Sequence, residues 1–366
     1  MNFTQPIDKL AEPEELKEIG RIEEIARTSK PTIMAVGIGG AGCNVISWVK
    51  DRGVTGGKLV SVNTDANHLK ICKADTRILI GEKTCRGLGC GGYPKVGERA
   101  MQETLSDVIE EVSDANIIFL VAGMGGGTGT GGICALAEEL RSLFQEGSPH
   151  LIIGVVTLPF QIETARMDLA KEGVQRLQLA CDQVVIIDND RLVKVAGNLP
   201  VKEALGVANT MVGKFLKGIT ETITTASLIN LDYADLRAIM KGGGLASLGV
   251  GEGSGPEKVE HAVERAISGR LLDTRIGYKR HEAQGLLIHV SGGEDMTLHE
   301  VYHAGELVKR VIPEDARVIW GARVDKEMEG KCSVMAVLTG VQSTALGSTR
   351  KTFGPFKISN RKYLPW

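Results

Sequence analysis

Several things are missing from this chain of 366 residues, and each absence narrows what it can be. Neither sign of charge dominates: 43 Lys and Arg against 45 Asp and Glu leave a net charge of −2, which implies no nucleic-acid partner. The seven cysteines, at 43, 72, 85, 90, 134, 181 and 332, follow no metal-ligand or disulfide-framework spacing and suit a reducing compartment. Residues 115–137 carry no charge, but seven glycines and two threonines make them a loop-bearing segment rather than a membrane span, so no direct membrane insertion is expected. Met1 to Lys30 is charged throughout and has no signal-peptide pattern, so the expectation is a cytoplasmic protein. The Walker string G-x-x-x-x-G-K-S/T is absent, and so is the base-reading N-K-x-D of Ras-like switches.

Glycine, by contrast, is abundant: 46 residues, where average usage near 7% gives about 26. The densest run is Gly125-Gly126-Gly127-Thr128-Gly129-Thr130-Gly131. It follows an apolar, strand-like run at 117–121 and precedes a helical pattern from Ile133 to Leu140. Strand, glycine loop and helix turn backbone N–H groups toward an anion with the positive helix end behind them. A second loop, Gly39-Gly40-Ala41-Gly42-Cys43-Asn44, follows the first strand, and a third, Gly87-Leu88-Gly89-Cys90-Gly91-Gly92, follows another. Taken alone, the loop beginning at Gly37 is a dinucleotide fingerprint, with Asp65 at a fitting distance downstream. A nicotinamide-dependent oxidoreductase is therefore a competing reading. A dinucleotide site uses one phosphate turn, whereas three such loops at strand ends suit a triphosphate.

Apolar strands at 32–36, 58–63, 76–80, 117–121, 151–157 and 183–187 alternate with helical patterns, which predicts an α/β domain with a Rossmann-like parallel sheet. An amphipathic helix is predicted over 13–28 and a long, largely buried one over 201–226. A smaller α/β domain follows, with strands near 285–290, 317–323 and 332–340 and helices around 257–268 and 298–310. The expected division is an N-terminal extension (1–30), a nucleotide domain (31–200), the central helix (201–226), a second domain (227–340) and a tail (341–366) with five Lys or Arg and no acid.

The glycine-threonine run resembles the signature of the tubulin superfamily, and residues 32–340 look specifically like the FtsZ cell-division family. That resemblance implies a GTP/GDP-binding, polymerising GTPase with Mg2+ beside the nucleotide. It implies phosphate contacts from Gly39, Gly40, Ala41, Gly42, Gly91, Gly92 and Gly125 to Gly131, with Thr128 and Thr130 among them. Asn63 and Asp65 match the loop near phosphates and metal, and Asn44, Asn189 and Asn209 match base contacts. Glu163 and Arg166 match a Glu and an Arg at the ribose and γ-phosphate, although the usual spacing is one residue longer. Leu205 stands where the family usually stacks a Phe on the base, a loss of about 1 kcal/mol.

Asn230-Leu231-Asp232-Tyr233-Ala234-Asp235 resembles the family's N-x-D-x-x-D loop, which implies that Asn230, Asp232 and Asp235 catalyse hydrolysis in the nucleotide site of the next subunit of a head-to-tail filament. As a local feature, Asp232 also suits a helix cap. A co-assembling paralogue with slow hydrolysis is the alternative within the superfamily. His299-Glu300-Val301-Tyr302-His303 fits the zinc-hydrolase pattern H-E-x-x-H, but the extended ligand spacing fails at Lys309, so no metal site is assigned. The tail carries Phe353, Phe356, Tyr363, Leu364 and Trp366 in a basic setting. By resemblance it docks on a membrane-tethering adaptor, and as a plain sequence it equally suits packing on its own second domain.

Overall fold

The computed structural model describes residues 31–144, 148–190, 197–225, 228–229, 231–267, 283–310 and 312–341. The helix expected over 13–28, Asn230 and the tail from 342 lie outside the described residues, as does the side chain of Leu205.

Strands β1 (Ile33–Ile38), β2 (Gly57–Asn63), β3 (Thr76–Leu79), β4 (Ile117–Gly123), β5 (Leu151–Leu158) and β6 (Gln183–Asp188) pair in parallel, in the order β3-β2-β1-β4-β5-β6. The sheet does not stop there. It continues through β7 (Leu245–Ser254), β10 (Lys331–Val341), β8 (Gly285–Gly292) and β9 (Arg317–Val324), giving ten strands in one sheet. β7 joins β6 in parallel over three residue pairs only, and β10 runs antiparallel to both β7 and β8.

In β1, Met34, Val36 and Ile38 belong to one core cluster while Ile33 and Ala35 belong to another, so alternate side chains enter opposite faces and both are covered. Two buried faces explain why these strands read as unbroken apolar runs. Helices α1 (Gly39–Asp51), α2 (Ala66–Ile71), α3 (Glu82–Cys85), α4 (Pro94–Glu103) and α5 (Leu105–Val112) precede β4. After a single π-helical turn at Thr128–Gly132 come α6 (Ile133–Leu143) and α7 (Thr164–Ala180).

The long helix, α8 (Val201–Thr224), has 24 residues and so spans about 36 Å. Val212, Phe215, Leu216 and Ile219 are buried on one face of the sheet, with Phe215 edge-on to Phe119 at 5.7 Å between ring centroids. The same cluster includes Val185 of β6, Leu248 of β7 and Val337 of β10, so one helix anchors both halves of the sheet. Helices α9 (Tyr233–Met240), α10 (Lys258–Ile267) and α11 (Leu298–Lys309) complete the chain.

Candidate functional site

Parallel pairing puts the carboxyl ends of β1 to β6 along one edge, and the expected nucleotide residues follow those ends. Gly39, Gly40, Ala41, Gly42 and Asn44 open α1 directly after β1. Asn63 ends β2, with Asp65 two residues on. Gly125, Gly126, Gly127, Thr128, Gly129, Thr130 and Gly131 follow β4, Glu163 and Arg166 follow β5, and Asn189 follows β6.

The loops hold one another. Gly39 adopts φ +73°, and a Cβ there would sit 2.9 Å from the Gly129 backbone nitrogen, so two glycine loops meet backbone to backbone. The Gly125 N–H donates to Thr130 Oγ1 at 2.8 Å, closing the glycine-threonine loop on itself. Thr64 and Thr128 hydroxyls lie 2.6 Å apart, and Cys90 of the third loop approaches both. The Gly89 N–H donates to the Thr64 carbonyl at 3.2 Å, which fixes that third loop, bearing the exposed Gly91 and Gly92, against the first two.

Asn63 Oδ1 accepts from the N–H groups of Thr64 and Asp65, at 2.9 and 3.3 Å, and Asp65 caps α2 by accepting from the His68 N–H. His68 bridges Asn63 and Asn44 at 3.1 Å each, a role that sequence reasoning missed. The only sequence signal for it is its place three residues after a capping aspartate. Glu163 and Arg166 pair with each other at 2.6 Å, and the Arg166 backbone lies against Gly125. The shorter spacing thus makes an i, i+3 ion pair on the first turn of α7.

Central helix α8 runs alongside α1 in the same direction: Gly213 packs on Trp48, and Lys217 donates to the Arg52 carbonyl at 3.0 Å. One turn before Gly213, half-buried Asn209 is therefore carried toward the Asn44 end of α1. Two observations show a cradle that fits a nucleotide. A Cβ on Gly40 or Gly126 would meet nothing within 4 Å, and Asn189 Oδ1 is buried with no hydrogen-bond partner.

Asp232 and Asp235 lie elsewhere. Asp232 caps α9 by accepting from the Ala234 N–H at 3.4 Å, and Asp235 stands 3.8 Å from Arg317, with both side chains of that pair more than half exposed (51% and 57%). Helix α9 is fastened to the amino ends of β4 and β5. Tyr233 Oη donates to the carbonyls of Asn116 and Pro149, and Arg237 Nη2 donates to the Ser148 carbonyl. Asn116 immediately precedes β4, whose other end leads into the glycine-threonine loop. The seven residues of β4, at about 3.3 Å each, put roughly 20 Å between the two edges.

The H-E-x-x-H segment is accounted for structurally. Glu300 completes a capping box with Thr297 at the start of α11 and binds Lys258 at 3.2 Å, while His303 meets Glu260 at 3.2 Å.

Comparison with known proteins adds relatives to this geometry. Residues 32–197 match the tubulin/FtsZ family GTPase domain, and residues 244–342 match the FtsZ family C-terminal domain. The chain is 45% identical over 314 residues to cell division protein FtsZ 2 of Methanocaldococcus jannaschii, covering 85% of this chain and 80% of that one. A tryptophan-to-tyrosine mutant of FtsZ from M. jannaschii superposes with a TM-score of 0.81 at 40% identity, over 92% of this chain and all of that one. An empty FtsZ dimer from M. jannaschii gives the same TM-score at 38% identity, over 96% of this chain and 100% of that one.

Proposed function

We propose that this chain, which belongs to the tubulin/FtsZ family, completes its active site only where two copies meet head to tail. It is a GTP-dependent, polymerising GTPase of cell division. Gly39 to Gly42 and Gly125 to Gly131 hold the phosphates through backbone N–H groups, and Asn44, Asn189 and Asn209 contact the guanine. Gly91 and Gly92 stand by the γ-phosphate, with Glu163 and Arg166 at the ribose and γ-phosphate edge. Asn63 and Asp65 would hold Mg2+ bound with the triphosphate, and the ion would supply charge neutralisation there.

One observation carries the interfacial reading: the exposed carboxylates of Asp232 and Asp235 are a strand length from their own subunit's glycine loops. No side chain spans that gap. A second copy stacked edge on edge brings the acidic face of one subunit onto the nucleotide of the other, where the carboxylates orient and polarise the attacking water. Asn230 belongs to the same loop by its spacing. A contact between two different faces does not close on itself, and so it makes a filament.

The basic tail, by its spaced aromatic anchors, serves a membrane-tethering adaptor and brings the filament to the division site. Among the described residues no helix is long and apolar enough to cross a membrane.

Complementation tests this reading. A Gly131→Glu variant, crippled in nucleotide binding, and an Asp235→Ala variant, intact in it, are each expected to be inactive alone. Mixed, they should recover GTP turnover, because the intact acidic loop of one serves the intact nucleotide of the other. A mixture no more active than its parts, with both variants folded, defeats the interfacial site.

A further inference from the structure

We propose that Cys43, His68 and Cys72 form a binding site for one divalent cation of the zinc class, at the junction of α1, β2 and α2. Among the described residues these three side chains gather their donor atoms within 4.8 Å of one another. Cys43 comes from α1, His68 from within α2, and Cys72 from the residue that caps the end of α2. The linear spacing hides the cluster, because its first member lies 25 residues before the second.

The hydrogen bonds set the histidine for ligation. His68 Nε2 lies 3.1 Å from Asn44 Oδ1, and an amide oxygen only accepts, so Nε2 carries the proton. Nδ1 therefore keeps its lone pair, and it faces Cys72 Sγ at 3.6 Å. Sulfur and nitrogen ligands on one tetrahedral zinc ion, at roughly 2.3 and 2.1 Å from the metal, stand about 3.6 Å apart. Asn44 thus holds the tautomer from the far side of the ring, as outer partners of metal-bound histidines do. In the metal-free arrangement Asn63 Nδ2 donates to the same Nδ1 at 3.1 Å and gives way when a metal binds.

Charge selects the ion. Cys43 is fully buried and Cys72 is 4% exposed, so two thiolates without a counter-charge are not tolerated there. A divalent ion with two thiolates and a neutral imidazole has no net charge. Thiolate and imidazole donors also favour zinc over magnesium or calcium. Loading breaks two S–H bonds, forms two metal–sulfur bonds and releases two protons, with no change of oxidation state. Three protein ligands leave the fourth position to water.

Cobalt(II) titration of the reduced, metal-free full chain tests the site. One equivalent is expected to give thiolate-to-cobalt charge-transfer absorption with tetrahedral d–d bands, to release two protons, and to be displaced by zinc. His68→Gln and Cys72→Ser should each lose the spectrum, Cys134→Ser should keep it, and Asn44→Ala should weaken zinc binding by about 10- to 100-fold. A wild-type chain with no charge-transfer absorption at one equivalent overturns the proposal, as does a spectrum retained in both ligand variants. Should those variants fail to fold, alkylation of the wild type decides: zinc must protect Cys43 and Cys72, and protection of other cysteines or of none counts against the site.

Discussion

The hydroxyls of Thr64 and Thr128 lie 2.6 Å apart in the protein interior, although 64 residues separate them in the chain. One follows β2 and the other follows β4, and Cys90 Sγ comes within 3.4 Å of the first and 3.3 Å of the second. Three nucleotide loops therefore share one small polar node, so removing any member loosens all three.

Thr128→Val removes one hydroxyl and leaves Thr64 and Cys90 short of a partner. We expect a loss of about 1–3 kcal/mol in denaturant unfolding, the usual penalty for an orphaned buried group. GDP should recover part of it, since binding pins the same loops. The Thr64→Val, Thr128→Val double variant should lose less than the sum of the singles. Strict additivity would show that the contact carries no energy.

Asp235→Ala is expected to pellet with GTP as the wild type does while its turnover falls by about 10²- to 10⁴-fold, the usual share of a positioned proton acceptor. Parallel sedimentation and phosphate-release assays read the two separately. Loss of pelleting together with turnover would assign Asp235 to assembly alone. Arg317→Ala should change stability by less than about 1 kcal/mol, because its pair with Asp235 is exposed.

His289 gives a pH dependence of definite sign. Burial first, and Arg323 second, lower its imidazole from 6.5 to about 4. Arg323 in turn pairs with Glu221 of the central helix. Because the folded value lies below the unfolded one, the unfolded chain takes up the extra proton between those two values. Stability contributed by the neutral ring is complete above about pH 6.5 and is lost as pH falls toward 4, by up to roughly 3 kcal/mol. His289→Gln should flatten unfolding free energy across that window. An unchanged slope would mean that the imidazole titrates normally.

Lys258 is 7% exposed and joins Asp295 at 2.6 Å to Glu300 at 3.2 Å. Lys258→Met leaves the two carboxylates facing each other, and we expect a cost of about 3 kcal/mol, at the low end for breaking a buried ion pair. Adding Asp295→Asn and Glu300→Gln should restore most of it. If Lys258→Met unfolds at the wild-type midpoint, the cluster is not contributing.

Much of the nucleotide edge is legible in the sequence because it is written in contiguous signals: an apolar run, then glycines, then a helix. Asp232 as a cap is legible for the same reason, and the structure gives it that hydrogen bond. Strand β7 is not. Its Leu245-Ala246-Ser247-Leu248-Gly249-Val250-Gly251-Glu252-Gly253 is not among the expected strands, and its glycines weaken any strand signal. Packing decides otherwise: a Cβ on Gly251 would lie 2.0 Å from the Ala262 carbonyl oxygen, and one on Gly253 would lie 1.9 Å from that of Lys258. Those glycines admit α10 against the strand. The unbroken ten-strand sheet is hidden likewise, because its second half joins the first through three residue pairs between β6 and β7. Long-range contacts such as Thr64 with Thr128, or Cys43 with Cys72, carry no local pattern at all.

The two edges of the sheet carry unlike chemistry, and a stack of identical subunits inherits that difference at its tips. In the head-to-tail stack proposed above, the last subunit at one tip would present its nucleotide cradle to solvent with no acidic face above it, so its GTP would exchange freely and would not be cut. At the other tip Asp232 and Asp235 would be bare, with no phosphate to act on. Between them every nucleotide would be covered, cleavable and unable to leave. Such a polymer would age from its interior while one tip stayed young, the direction of ageing being fixed by which way β4 runs.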